Sequence, residues 1–112
     1  MIGIDILEVE RIKQKLDKNP NFFEAFLHES EIVYVKNYKN ILERICGFFC
    51  LKEAVIKAFD AKIGFKDIEI THFDSGKPFV KILKKGYTDV NIEVSLSHSK
   101  TVAVAVAIIN KF

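Results

Sequence analysis

The first residues alternate. Ile2, Ile4 and Ile6 fall on one face and Gly3, Asp5 and Leu7 on the other, which predicts a strand over residues 2–7. The period then lengthens: Val9, Ile12 and Leu16 form an apolar stripe at helical spacing, so a helix is expected from Glu8 to Lys18, broken by Asn19-Pro20-Asn21. Two short helices are expected over Phe22–Leu27 and Ser30–Asn37, the second with Ser30 as its N-cap. The longest helical signal runs from about Asn40 to Ala61. Its residues Ile41, Ile45, Phe48, Phe49, Val55, Ile56 and Phe59 cover much of the circumference, so this helix is buried on most faces or lies in a subunit interface as well as a core. After Gly64 the alternation returns, with strands expected over Asp67–Phe73, Phe79–Leu83, Ile92–Leu96 and Thr101–Ile109. The turn Asp74-Ser75-Gly76-Lys77-Pro78 joins the first two. A strand and helices followed by a mainly antiparallel sheet make the class α+β.

No repeat or linker-like stretch divides the 112 residues, so one domain over 1–112 is expected, large enough for a core without disulfides or structural metal. A hydrophobic content of 49% excludes intrinsic disorder. The net charge is only +2, which argues against general binding to nucleic acid or a membrane surface. Residues 57–112 carry 9 basic and 6 acidic side chains, a lean toward an anionic ligand rather than a patch. The longest apolar run, Val102–Ile109, is 8 residues, against about 20 for a transmembrane span. Cys46 and Cys50 read as two small buried hydrophobes in one helix, and a reducing cytoplasm is the expected location.

Asp5 is the first candidate for chemistry. A carboxylate between Ile4 and Ile6 is costly to bury unless it is paired, protonated or bound to a cation. It is either an edge-strand residue satisfied by backbone amides or capping the next helix, or a ligand for a hard cation. Glu53 sits on the long helix among Cys46, Phe49, Cys50 and Ile56, with Lys57 one turn on. It is either half of a helix ion pair or, with Asp5, part of a two-carboxylate site suited to Mg²⁺, with Lys57 as a point charge for phosphate. Gly76-Lys77-Pro78 is a weak signal alone. Ser95-Leu96-Ser97-His98-Ser99 offers hydroxyl and imidazole donors where a strand gives way to a turn, and its spacing disfavours a Ser–His hydrolase. His28 and His72 read as surface or turn histidines.

Together these pieces resemble one family. They are Gly3-Ile4-Asp5-Ile6 with Arg11-Ile12 at the expected distance, the helix motif Phe49-Cys50-Leu51-Lys52-Glu53-Ala54-Val55-Ile56-Lys57-Ala58, then Asp67-Ile68-Glu69-Ile70, Gly76-Lys77-Pro78 and Ser95–Ser99 in order. The pattern is similar to that of the holo-[acyl-carrier-protein] synthases, the short, trimeric branch of the 4′-phosphopantetheinyl transferases. The resemblance implies that family's fold, a mainly antiparallel sheet packed on a long central helix. It implies Mg²⁺-dependent transfer of 4′-phosphopantetheine from coenzyme A to a serine of apo acyl carrier protein, in fatty acid biosynthesis, with adenosine 3′,5′-bisphosphate released. It further implies Mg²⁺ on Asp5 and Glu53, and Lys57 on the diphosphate; for the serine proton, Glu53, directly or through a metal-bound water, is the candidate base. Gly76, Lys77, Pro78 and His98 would line the nucleotide cleft, and Arg11 would meet the carrier. The sites would lie between subunits of a homotrimer.

Several features depart from the family. Gly47-Phe48 stands where Gly-Arg is frequent, so a nucleotide-side cation is expected to be missing. Ile56 stands where a small polar residue is frequent, and the connection over residues 60–66 is short, which bears on the adenine and 3′-phosphate contacts the resemblance implies, with Lys62 or Lys66 as compensation. Phe22–Leu27 holds Glu24 and no basic residue, which shifts the expected carrier contact to Phe22, Phe23 or Phe26. The rival readings are a non-catalytic coenzyme A or carrier-binding module and a Mg²⁺-dependent phosphodiesterase, for which Asp60-Ala61-Lys62 is a weak mimic.

Overall fold

The computed structural model describes residues 1–110. It runs β1 (Ile2–Glu8), α1 (Val9–Lys18), a 3-10 turn (Phe22–Ala25), α2 (Glu29–Lys36), α3 (Ile41–Ala58), a second 3-10 turn (Phe65–Asp67), β2 (Ile68–His72), β3 (Pro78–Ile82), β4 (Asn91–His98) and β5 (Val102–Asn110). Two antiparallel sheets result, one ordered β1-β5-β4 and the other the β2–β3 hairpin. The class is α+β, as expected. No helix among the described residues is long and apolar enough to cross a membrane.

The helix α3 is the axis of the fold. One side lies on the three-stranded sheet, and the other meets α1, α2 and the Phe65–Asp67 turn. That accounts for its all-round apolarity within one chain. Phe26 stands edge-on to Phe49 of α3 at 4.8 Å, and Phe49 lies 5.1 Å from Phe65. Phe26 is buried, which removes it from the expected carrier contact; Phe22 and Phe23 are half-buried. Cys46 and Cys50 are fully buried, as expected of small hydrophobes. Burial raises their thiols to about 11 and about 12.

Two details of the first half differ from expectation. The cap of α2 is His28, whose backbone N–H donates to Glu31 Oε1 at 2.7 Å, so the helix begins before Ser30. His72 is a half-buried strand residue rather than a surface one, its ring stacked on Tyr34.

Alternation in β1 leaves open which face turns inward, and Gly3 decides it. Residues 3, 5 and 7 face α3, while Ile2, Ile4 and Ile6 are 67%, 64% and 70% exposed. A Cβ at position 3 would fall onto the Ala54 carbonyl oxygen and lie 2.7 Å from Ala58 N, so only glycine lets the strand backbone approach the helix this closely. Gly3→Ala should therefore push β1 off α3 and destabilise the protein by roughly 2–4 kcal/mol, as overpacking against backbone does. Chemical denaturation checks this, and an unchanged urea midpoint would refute the close-approach argument.

Candidate active site

Antiparallel pairing sets Asp5 opposite Ala105 in β5, and the inward turn of residues 3, 5 and 7 presents it to α3. Residues 53 and 57 are one helical turn apart, and the second of them reaches the strand. Lys57 Nζ donates to Asp5 Oδ1 at 2.9 Å and to the Ile4 carbonyl at 3.2 Å. Burial raises the carboxyl of Glu53 above its ordinary value; the charge of Asp5 adds to the rise and Lys57 opposes it. The hydrogen bond to Asp5 in turn holds Lys57 above the usual lysine range. Asp5, Glu53 and Lys57, which the sequence separates by up to 52 residues, thus form one electrostatic unit.

The unit fits a hard cation. Its donors are oxygens, the charge of Asp5 opposes ionisation of Glu53, and Lys57 offsets both carboxylates. Among the described residues no cluster of three or more His, Cys, Asp or Glu could hold a metal by itself. A pair of carboxylates suits Mg²⁺, which retains waters and takes its remaining oxygens from substrate phosphates.

Around the other half of α3 lies a cleft of about 150 Å³. Gly76, Pro78 and His98 line it, as do Tyr34, Phe48 and His72. Gly76 has φ 90° in the turn between β2 and β3, closed by the Gly76 N–H to the Phe73 carbonyl at 2.8 Å. His98 is the last residue of β4 rather than part of a turn, and its Nδ1 is hydrogen-bonded to Glu43 at the start of α3. That bond draws the Glu43 carboxyl below its ordinary value.

The remaining expected site residues lie apart from this cleft. Lys77 is exposed in the same turn but borders a neighbouring hollow with Phe73 and Phe79. Ser95 and Ser97 alternate to the exposed face, away from His98. Arg11 is exposed on α1. Lys66 donates to the Leu27 carbonyl and Lys62 is exposed; neither lines the cleft. What the sequence reading missed is the wall itself, with Arg44 beside it. The available signal was the four-residue spacing of Arg44 to Phe48, which places both on one face of α3.

Comparisons with known proteins agree with this architecture. The pattern of the 4′-phosphopantetheinyl transferase superfamily matches residues 1–107. A holo-[acyl-carrier-protein] synthase of Clostridium botulinum (strain Eklund 17B / Type B) is 44% identical over 116 residues, covering 96% of this chain and 94% of the relative. The crystal structure of the Helicobacter pylori holo-[acyl-carrier-protein] synthase in complex with coenzyme A superposes with a TM-score of 0.87 at 35% identity, over 98% of this chain and 100% of that one. The Bacillus anthracis synthase in complex with CoA (3′,5′-ADP) gives 0.80 at 38% identity, over 96% and 93%. With the family pattern spanning almost the whole chain and these likenesses running nearly end to end, the chain belongs to the 4′-phosphopantetheinyl transferase superfamily.

Proposed function

We propose that this enzyme transfers 4′-phosphopantetheine from coenzyme A to a serine of apo acyl carrier protein, with Mg²⁺, in the cytoplasm and in the service of fatty acid biosynthesis. The meeting of Asp5, Glu53 and Lys57 carries the reading: two carboxylates and a lysine, drawn from a strand and a helix, are what a diphosphate-bearing donor requires. The names of the relatives support the donor and the acceptor.

Asp5 and Glu53 would hold the cation, which supplies neutralisation of diphosphate charge when bound. Lys57 binds a diphosphate oxygen through its ammonium N–H donors. Glu53 accepts the proton of the serine hydroxyl as that oxygen bonds to phosphorus. The phosphorus–oxygen bond to adenosine 3′,5′-bisphosphate breaks, and the electron pair leaves with the bisphosphate. Gly76 and Pro78 border the nucleotide, and Glu43 fixes the ring of His98 at the edge of the cleft. Arg11, exposed on α1, meets acidic side chains of the carrier.

Intact-mass measurement of apo acyl carrier protein with coenzyme A and Mg²⁺ tests the proposal. A gain of one phosphopantetheine group, lost on adding a chelator, is the expected result. No gain with several carriers at high enzyme concentration overturns it.

The subunit arrangement belongs to the same proposal. Ile2, Ile4 and Ile6 pair across β1 and β5 with Ile108, Val106 and Val104, giving an exposed apolar sheet face. Such a face marks an interface rather than a solvated surface. We assign it to copies of this chain in a homotrimer. The cleft and the carboxylates occupy different halves of α3, which fits a site completed between subunits. Ile4→Asp with Ile6→Lys should reduce the assembly to monomers by light scattering and lower transfer with it. A trimer that persists in this variant places the interface elsewhere.

A further inference from the structure

Two lysines hold the segment between α1 and α2 from behind. Lys52 Nζ, reaching from α3, donates to the Phe26 carbonyl at 2.7 Å, and Lys66 Nζ, in the second 3-10 turn, donates to the Leu27 carbonyl. Among the described residues no other donor reaches either oxygen. Phe26 and Leu27 are buried, so the two ammonium groups supply what water would otherwise give this stretch of backbone. Aromatic packing adds a third fastening. Phe49 of α3 lies 4.8 Å from the Phe26 ring and 6.1 Å from that of Phe22.

Two of these fastenings converge on one turn of α3. Phe49 and Glu53 are four residues apart and share a helix face, and Lys52 directly precedes Glu53. The outer side of the segment continues a basic strip. Arg11 and Lys15 share a face of α1, and the Lys15 ammonium lies 5.3 Å from the centre of the Phe22 ring. The segment therefore stands between the surface assigned above to the carrier and the turn that bears Glu53. Its two lysines differ in one useful respect. Lys52 is completely buried in an ion pair with Glu31, whereas Lys66 is an exposed residue whose truncation removes no core side chain.

We infer that Lys52 and Lys66 are positioning residues for the acceptor: they clamp the Phe22–Leu27 segment so that a carrier docked beside Arg11 presents its serine at a fixed distance from Glu53. The inference rests on the transferase reading and the carrier assignment of Arg11 proposed above. Neither lysine touches a reacting atom. Both act through the backbone they hold, and misplacement of a bound reactant by about 1 Å is enough to slow a transfer severely. Lys66 fastens the segment alone, so its effect belongs to carrier recognition. Lys52 fastens the segment to the helix that carries Glu53, so its effect reaches turnover as well.

Steady-state transfer, with apo acyl carrier protein and coenzyme A varied separately at saturating Mg²⁺, tests it, with a thermal melt of each variant alongside. Lys66→Met should raise KM for the carrier by about threefold to tenfold while kcat and KM for coenzyme A stay within about twofold of the wild type. Lys66→Arg, which still offers the Leu27 carbonyl a charged donor, should restore the carrier KM. Lys52→Met combined with Glu31→Gln should lower kcat/KM for the carrier by about tenfold to a hundredfold, with kcat contributing to the loss. Should this double variant melt below the assay temperature, the two Lys66 variants decide alone. An unchanged carrier KM in Lys66→Met, a loss that Lys66→Arg does not repair, or equal rises in KM for both substrates, as general loosening of the fold would give, overturns the inference and leaves the transferase reading standing. A wild type that transfers to no carrier overturns both.

Discussion

Glu53→Gln should slow phosphopantetheine transfer by about 10³–10⁴-fold while leaving the protein folded. The amide has the shape of the carboxylate, and burial already disfavours the charge at this position, so the substitution relieves a desolvation penalty rather than adding one. What disappears is function. Asp5 is left as a lone carboxylate for the cation, Lys57 loses one of its two acidic neighbours, and the serine proton loses its acceptor. Single-turnover assays by intact mass, with saturating coenzyme A and Mg²⁺, measure the loss, and a thermal melt alongside reports folding. Lys57→Gln should show a different profile, with a larger share of its loss in KM for the donor, because that side chain holds the diphosphate in the ground state as well. A Glu53→Gln protein retaining more than a tenth of wild-type turnover would remove Glu53 from both of its assigned tasks.

Breaking the buried pair beside it should be the largest stability effect in the molecule. Lys52 and Glu31 are both completely buried. Lys52 Nζ donates to Glu31 Oε1 at 2.8 Å, to the Phe26 carbonyl at 2.7 Å and to the Phe65 carbonyl at 3.2 Å. Glu31 accepts in addition from the backbone N–H of His28 and from that of Ile70 at 2.7 Å each. Five segments converge on two charges: both 3-10 turns or their flanks, the cap of α2, β2 and α3. Lys52→Met leaves a buried carboxylate without its cation and two carbonyls without their donor. It should cost about 3–5 kcal/mol. A urea titration reads this as a lowered midpoint. Glu31→Gln added to Lys52→Met should recover part of the loss, since it removes the stranded charge, and the recovery measures the coupling. Additive penalties would mean that the two residues do not act as a pair.

The period of the hydrophobic pattern located nearly every element to within a residue or two, because strands and helices here are long enough to repeat their period. It was less informative about faces. The isoleucines of β1 are the more apolar set, yet they point outward, and the reason is the Gly3 contact with α3, which involves residues more than 50 positions away. The same limit applies to the site. Asp5, Glu53 and Lys57 stood out because charge in an apolar run is locally anomalous. Tyr34, Phe48 and His72 come from α2, α3 and β2, and each alone reads as an ordinary core residue. Glu43 meets His98 across 55 residues of chain, a pairing no local pattern announces. Phe26, expected at the surface with its neighbours, is drawn inward by Phe49 and Phe65.

Lys52 precedes Glu53 directly, so on α3 one side chain enters the interior while the next, about 100° round the axis, lies within reach of the Asp5 charge. The buried lysine thereby acts as an index pin for the helix. Side-chain ends stand roughly 6 Å from a helix axis, so a turn of only about 20° would carry the Glu53 carboxylate some 2 Å from its station, enough to spoil a phosphoryl transfer. That rotation would also withdraw an ammonium group from three oxygen partners, and its energy keeps it rare. Substitutions elsewhere on α3 that keep this pin intact should therefore leave the Glu53 carboxylate at its station.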